Sequence, residues 1–88
     1  MTLLTAEAIT DLIIELSPIP GLSPTEIEGC DQLLTGGMVD SLGLLQLVEA
    51  IEHSLGVSIP PAAITIENFN SLTAMARLQE TIVSNKAA

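Results

Sequence analysis

Gly36-Gly37-Met38-Val39-Asp40-Ser41-Leu42-Gly43-Leu44-Leu45-Gln46-Leu47-Val48-Glu49-Ala50-Ile51-Glu52-His53-Ser54-Leu55-Gly56 is the stretch on which the fold turns. Asp40 and Ser41 are both favoured helix N-caps. Gly56 is the residue type that most often closes a helix. A helix is therefore predicted over 41–55. At about 100° per residue, Leu44, Leu45, Leu47, Val48, Ile51 and Leu55 fall on a broad apolar face. The opposite stripe holds Leu42, Gln46, Glu49 and His53. Leu42 is thus out of phase, a large apolar residue on the polar side of the first turn. A scattered surface leucine would account for it, and so would a contact with a partner beside Ser41.

Upstream, Ile9, Leu12, Ile13 and Leu16 repeat at the spacing of one helical face. That helix should begin near Thr5, an N-cap residue, and stop before Pro18. Residues 17–40 follow as a long connection broken by Pro18, Pro20, Gly21, Pro24, Gly29, Gly36 and Gly37. A connection of that length in so small a domain should hold some structure of its own. Ser23-Pro24-Thr25-Glu26 supplies it, as a capping box with proline at the first helical position. Leu33 and Leu34 should pin the remainder to the core. Downstream, Val57-Ser58-Ile59-Pro60-Pro61 reads as a turn, followed by a short helical turn over Pro61–Ile64. The last helix should begin near Asn70-Ser71 and carry Leu72, Met75, Ala76, Gln79, Ile82 and Val83 on one side. Helix, long loop, helix, short turn, helix is an all-α order.

Eighty-eight residues make one domain, here 1–88. A chain this short buries about 60–65% of its extended surface, enough for one core but not for a deep substrate cavity as well. Hydrophobic residues are 48% of it, which argues against disorder. Phe69 is its only aromatic residue, so stacking platforms for single-stranded nucleic acid are lacking. Eleven acids stand against two bases, Arg77 and Lys86, for a net charge of −9. That field repels nucleic acid and anionic membranes and attracts proteins with basic patches. Cys30 is the single cysteine and can form neither an internal disulfide nor a thiolate cluster. The acids have no metal-site spacing. The N-terminus lacks a signal-peptide pattern, and no stretch approaches the roughly 20 apolar residues of a membrane span. A cytoplasmic protein is the resulting expectation.

Ser41 has two readings from its residues alone. As a helix cap it needs no chemistry. As a nucleophile it needs a base within hydrogen-bond reach. The only histidine, His53, lies twelve residues along the same helix, about 18 Å away, and a solvated Asp40 is a poor base for a hydroxyl. A self-contained hydrolase is therefore excluded. What remains is a hydroxyl at a helix N-terminus, where an anion such as a phosphodiester is tolerated. Gly36, Gly37 and Gly43 leave it accessible to a large protein.

Gly37-Met38-Val39-Asp40-Ser41-Leu42 resembles the signature of acyl carrier and peptidyl carrier proteins. The likeness extends over nearly the whole chain. Leu33-Leu34 resembles the leucine-bearing stretch before that signature, and Gly56-Val57-Ser58-Ile59-Pro60 the exit of the second helix. Ile66-Glu67-Asn68-Phe69 with Ser71-Leu72 resembles the lead-in to the last helix. The resemblance implies an all-α four-helix bundle with a short third helix near 61–65 and a long loop between helices 1 and 2. It implies covalent 4′-phosphopantetheine on Ser41, with Asp40 as the motif residue at the helix start. It implies that Met38, Leu42, Gln46 and Glu49 meet partner enzymes. Those partners would be a phosphopantetheinyl transferase, an adenylating ligase or acyltransferase, and downstream tailoring, condensing or transfer enzymes. The carrier itself would be monomeric and non-catalytic.

Fatty-acid carriers place acids in the first turns of the second helix, where this chain has Gly43, Leu44 and Gln46. Asp-Ser-Leu-Gly-Leu-Leu-Gln-Leu-Val is more similar to stand-alone carriers loaded by a dedicated adenylating ligase. These include peptidyl carriers of specialised metabolism and D-alanyl carriers of cell-wall decoration, and residues 66–72 lean toward the former. The alternative from another class is an unmodified acidic helical interaction module in which Ser41 is only a cap.

Overall fold

The computed structural model describes residues 2–87, with side chains through residue 85. It is all-α. Its helices are α1 (Ala6–Leu16), α2 (Pro24–Glu28), α3 (Ser41–Leu55), α4 (Ile66–Phe69) and α5 (Leu72–Ala87), with a single 3-10 turn at Pro61–Ala63 between α3 and α4. The long loop expected between the first two long helices is present and contains α2.

The helix ends follow from local chemistry. Thr5 caps α1 by accepting from the Ala8 N–H at 3.1 Å. The capping box of α2 is complete: the Ser23 hydroxyl accepts from the Glu26 N–H, and the Glu26 carboxylate accepts from the Ser23 N–H. Both reciprocal bonds satisfy amides that a helix start leaves unpaired. Gly56 ends α3 in the left-handed region at φ +70°, where a side chain is strained. Ser71 Oγ accepts from the Ala74 N–H at 3.0 Å, as a cap does at the start of α5.

Three long helices enclose one core. α1 contributes Ile9 and Ile13, α2 Ile27, α3 Leu47, Val48, Ile51 and Leu55, and α5 Leu72, Met75 and Leu78. Leu33, Val39 and Ile59 fill it from the connections, and Phe69 from α4. Phe69, the sole aromatic, is fully buried. Leu33 is buried and Leu34 packs against the core's edge, as the sequence led us to expect.

Three expectations need correction. Leu45 is 57% exposed and lies outside the core face. The buried face of α3 is built on Gly43, Leu47, Ile51 and Leu55 with Val48, a row spaced by four that begins at a glycine. Leu45 is only about 60° from Leu42 around the helix and shares its exposed side. In α5, Ala76 is exposed while Leu78 is buried, because the packed face centres on Met75, Leu78 and Gln79. Finally, no single short helix occupies 61–65: a 3-10 turn ends at Ala63, and the next α-helical turn begins only at Ile66. Asn68 Nδ2 donates to the Ala63 carbonyl at 2.7 Å and joins the two pieces.

Gln79 is a polar side chain within the core, 1% exposed. Its Oε1 accepts from the Leu4 N–H at 2.7 Å, and its Nε2 donates to the Leu4 carbonyl at 3.1 Å. The amide thus pairs with both polar groups of one backbone residue and ties the segment before α1 to α5. Gln79→Met keeps the volume and removes both bonds. It should lower stability by about 1–3 kcal/mol, read as a shifted denaturant midpoint; an unchanged midpoint would show that the pairing adds nothing.

Candidate functional site

The site is assembled by the seven residues from Leu33 to Val39, both of which are buried. The loop closes on itself where the Val39 N–H donates to the Leu33 carbonyl at 2.9 Å. Its tight turn needs glycine at two positions. A Cβ on Gly36 would sit 2.6 Å from the Gln32 carbonyl oxygen. Gly37 adopts φ +86°.

Asn70, at the junction of α4 and α5, holds this loop from outside. Its backbone carbonyl accepts from the Leu33 N–H at 2.9 Å. Its side-chain Oδ1 accepts from the Leu34 N–H at 2.8 Å and the Thr35 N–H at 3.3 Å. Its Nδ2 donates to Thr35 Oγ1 at 3.4 Å. A single residue therefore satisfies three consecutive loop amides and fixes where residues 38–40 emerge.

They emerge at the start of α3. Asp40 is its N-cap: Oδ1 accepts from the Gly43 N–H at 2.7 Å, and the backbone carbonyl accepts from the Leu44 N–H at 2.9 Å. Gly43 is buried, and a Cβ there would lie 3.2 Å from Asp40 Oδ1 and 3.3 Å from Val39 Cγ1. The missing side chain lets the capping carboxylate sit close over the first turn. Ser41 is the first helical residue and is exposed. The cap bond belongs to Asp40, so capping does not explain Ser41. Its hydroxyl stands at the positive end of a 15-residue helix.

An open groove of about 410 Å³ adjoins Ser41, lined by Leu34, Thr35, Val39, Leu44 and Ile66 among others. Ile66 is 57% exposed. On the other side of Ser41, Leu42 is 63% exposed. Gln46 is half-buried and Glu49 exposed on the same stripe. Met38 is half-buried, packed against the core's edge. The structure thus brings Asp40, Ser41 and Leu42 together at one end of α3 and carries Glu49 further along. His53 lies in the last turn of α3, and the Asp40 carboxylate is occupied with the Gly43 amide. Neither side chain is placed as a free base beside Ser41, whose hydroxyl is exposed at the start of α3. Among the described residues, no group of three or more His, Cys, Asp or Glu is placed to hold a metal.

One residue of the site, Asn70, escaped the sequence reading, and Gly43, expected to leave the Ser41 hydroxyl accessible, is instead buried against Asp40 and Val39. Asn70 acts across 36 positions, and nothing local distinguishes it from an ordinary helix-terminal asparagine. Gly43 did carry a signal, since glycine inside a helix costs about 1 kcal/mol relative to alanine and should have a packing reason.

A family model described as a phosphopantetheine attachment site matches residues 7–78, from the first turn of α1 into α5. No curated protein and no solved structure is significantly similar to the chain.

Asn70→Ala removes the side-chain bonds to Leu34 and Thr35 and leaves the backbone bond to Leu33. Amide hydrogen exchange should accelerate about tenfold or more at Leu34 and Thr35 and much less at Leu33. Equal protection in the variant would show that the loop holds its place without the clamp.

Proposed function

The chain belongs to the family of phosphopantetheine attachment-site proteins, and we propose that Ser41 is its attachment residue. Domains of this family are non-catalytic carriers, with 4′-phosphopantetheine held covalently on a serine. They work with a phosphopantetheinyl transferase and with loading enzymes. The observation that carries the assignment is the division of labour at the start of α3. Asp40 caps the helix, which leaves the exposed Ser41 hydroxyl without a structural task.

The residues present suit the group. The attached phosphodiester is an anion at a helix N-terminus, where the dipole favours negative charge. Gly37, exposed and with open space where a side chain would stand, puts no bulk in the way of an approaching enzyme. In the transfer, Ser41 Oγ forms a bond to the pantetheine-bearing phosphorus of coenzyme A. The pyrophosphate bond breaks, 3′,5′-ADP leaves, and the hydroxyl proton passes to a base of the transferase. The group, once bound, supplies a terminal thiol that holds cargo as a thioester. The chain's own contribution is positional: tethering raises the effective concentration of cargo at each docked enzyme.

Met38, Leu42, Gln46 and Glu49 form the partner surface in this reading, around a weak, reversible and electrostatically guided contact. The cargo is aminoacyl or acyl. The carrier is a stand-alone, monomeric, cytoplasmic protein of specialised biosynthesis, one domain over 1–88, served by an adenylating ligase. The glycine at position 43, where fatty-acid carriers place an acid, supports the stand-alone assignment. Among the described residues no helix is long and apolar enough to cross a membrane.

Intact mass after incubation with coenzyme A and a broad-specificity phosphopantetheinyl transferase tests the assignment. The unmodified wild type should gain one phosphopantetheine and Ser41→Ala none. No gain in folded wild type would overturn it and return the acidic interaction module. Loading of the modified protein by adenylating ligases, against malonyl transfer, separates the specialised carrier from the fatty-acid alternative.

A further inference from the structure

The stretch before Ser41 rests on an anchor that lies far from it in the chain. Asn70 follows Phe69, which is fully buried, and stands two residues before Leu72, also buried. Its backbone is the right-handed C-cap of α4, at φ −84° and ψ −7°. The Ser71 hydroxyl beside it accepts from the first turn of α5. Packing on both sides therefore fixes the Asn70 backbone, and its short side chain carries that rigidity outward. One oxygen accepts from two consecutive amides, Leu34 at 2.8 Å and Thr35 at 3.3 Å. Among the described residues, no other side chain from outside residues 33–39 hydrogen-bonds to them. The first turn of α3 has little hold of its own. The helix is pinned in the core from Leu47 onward. Before that, Ser41 and Leu42 are exposed, Leu44 is half-buried, and the buried Gly43 has no side chain. Val39, at the end of the loop, is the nearest core side chain preceding Ser41. The placement of Ser41 thus depends on the loop, and the loop on Asn70.

We propose that Asn70 is a positioning residue for the transfer of phosphopantetheine to Ser41. It bonds to neither the serine nor the incoming group. It acts through residues 34–40, by holding the loop and the first turn of α3 in the arrangement that a transferase engages. The proposal rests on Ser41 being the attachment residue. Its physical basis is population. A carrier whose loop is ordered for part of the time presents Ser41 correctly for that fraction, and its apparent affinity falls by the same factor. Once the carrier is bound, the loop is ordered and the chemistry is that of the wild type. Loss of the clamp therefore falls on KM for the carrier and spares kcat. A side chain that served overall stability alone would change neither while the protein stays folded. The clamp also makes a chemical demand, an acceptor oxygen at the reach of one short side chain. Aspartate keeps an oxygen in the place of Oδ1 and can accept from both amides. Alanine has none, and glutamine carries its oxygen one methylene too far.

The test is the steady-state kinetics of transfer from coenzyme A by a broad-specificity phosphopantetheinyl transferase. The unmodified carrier is the varied substrate, and product is read by intact mass. Asn70→Ala should raise KM for the carrier at least about fivefold and leave kcat within about twofold of wild type. Asn70→Asp should recover most of the wild-type KM. Gln79→Met loses the distant tie to Leu4 and is the control for general destabilisation; while folded, it should keep the wild-type KM. Circular dichroism checks that each variant is helical. If Asn70→Ala does not fold, Asn70→Gln takes its place, with the same expected rise. An unchanged KM in the folded Asn70 variant would overturn the proposal. So would an equal rise in Gln79→Met, a loss confined to kcat, or an Asn70→Asp no better than Asn70→Ala. No transfer to folded wild type would sink the attachment reading and this proposal with it. Transfer to wild type that is indifferent to residue 70 would sink the proposal alone.

Discussion

Asn70 is the fixed point from which the functional end of the molecule is measured. Its hydrogen bonds to Leu33, Leu34 and Thr35 tie a glycine-rich loop to the α4–α5 junction. Gly36 and Gly37 contribute no side chains to that hold, and their N–H groups donate to the Gln32 and Leu34 carbonyls within the loop. Leu33 and Val39 drop into the core at its two ends, and the Val39-to-Leu33 backbone bond closes it. The position of Asp40 follows, and with it the cap, the axis of α3 and the direction in which Ser41 faces. A three-amide clamp thus does what a longer chain would do with more buried surface.

The small size explains other choices. Among the described residues fourteen buried apolar ones form the core, and Phe69 is the only aromatic in it. Connections are therefore recruited into the packing: Leu33, Val39, Ile59 and Phe69 all lie outside the three long helices. Polar groups close the remaining gaps between segments. Gln79 pairs with Leu4, and the Glu52 carboxylate accepts from the Ile59 N–H at 2.7 Å, holding the turn after α3. These bonds lie in partly buried settings, where an unmet partner would be costly.

Local rules made much of this legible. Thr5, the Ser23 capping box, Asp40 and Gly56 mark helix ends by chemistry that acts within four residues, and each stands where the sequence places it. The resemblance of Gly37–Leu42 to a family signature is legible for the same reason, being contiguous. What failed was the assignment of faces. Leu45 was placed on the apolar face because it is apolar, although the buried row starts at Gly43, a residue that no hydrophobicity pattern marks. Ala76 lies off the packed face of α5 because a helix wheel fixes relative angles but not which direction the neighbouring helices occupy. The division of the segment after residue 60 depends on Asn68 reaching back to Ala63, and the loop's anchorage on Asn70 is longer in range still. Neither is available to a reading that moves along the chain.

The errors and the function have one origin. Leu42 and Leu45 break the amphipathic pattern of α3 because that helix answers to two surfaces: the core on one side and solvent or a partner on the other. Two large apolar residues left in water favour self-association, which a high like charge opposes. A net charge of −9 on 88 residues supplies that opposition while still admitting a partner of opposite sign. Acidity is thus not a separate property added to the fold. It opposes the self-association that exposed leucines on α3 would otherwise favour. Neutralising the acids nearest those leucines should promote self-association and leave the fold intact, since the capping bonds and the core residues that build α3 involve none of the acids along its exposed stripe.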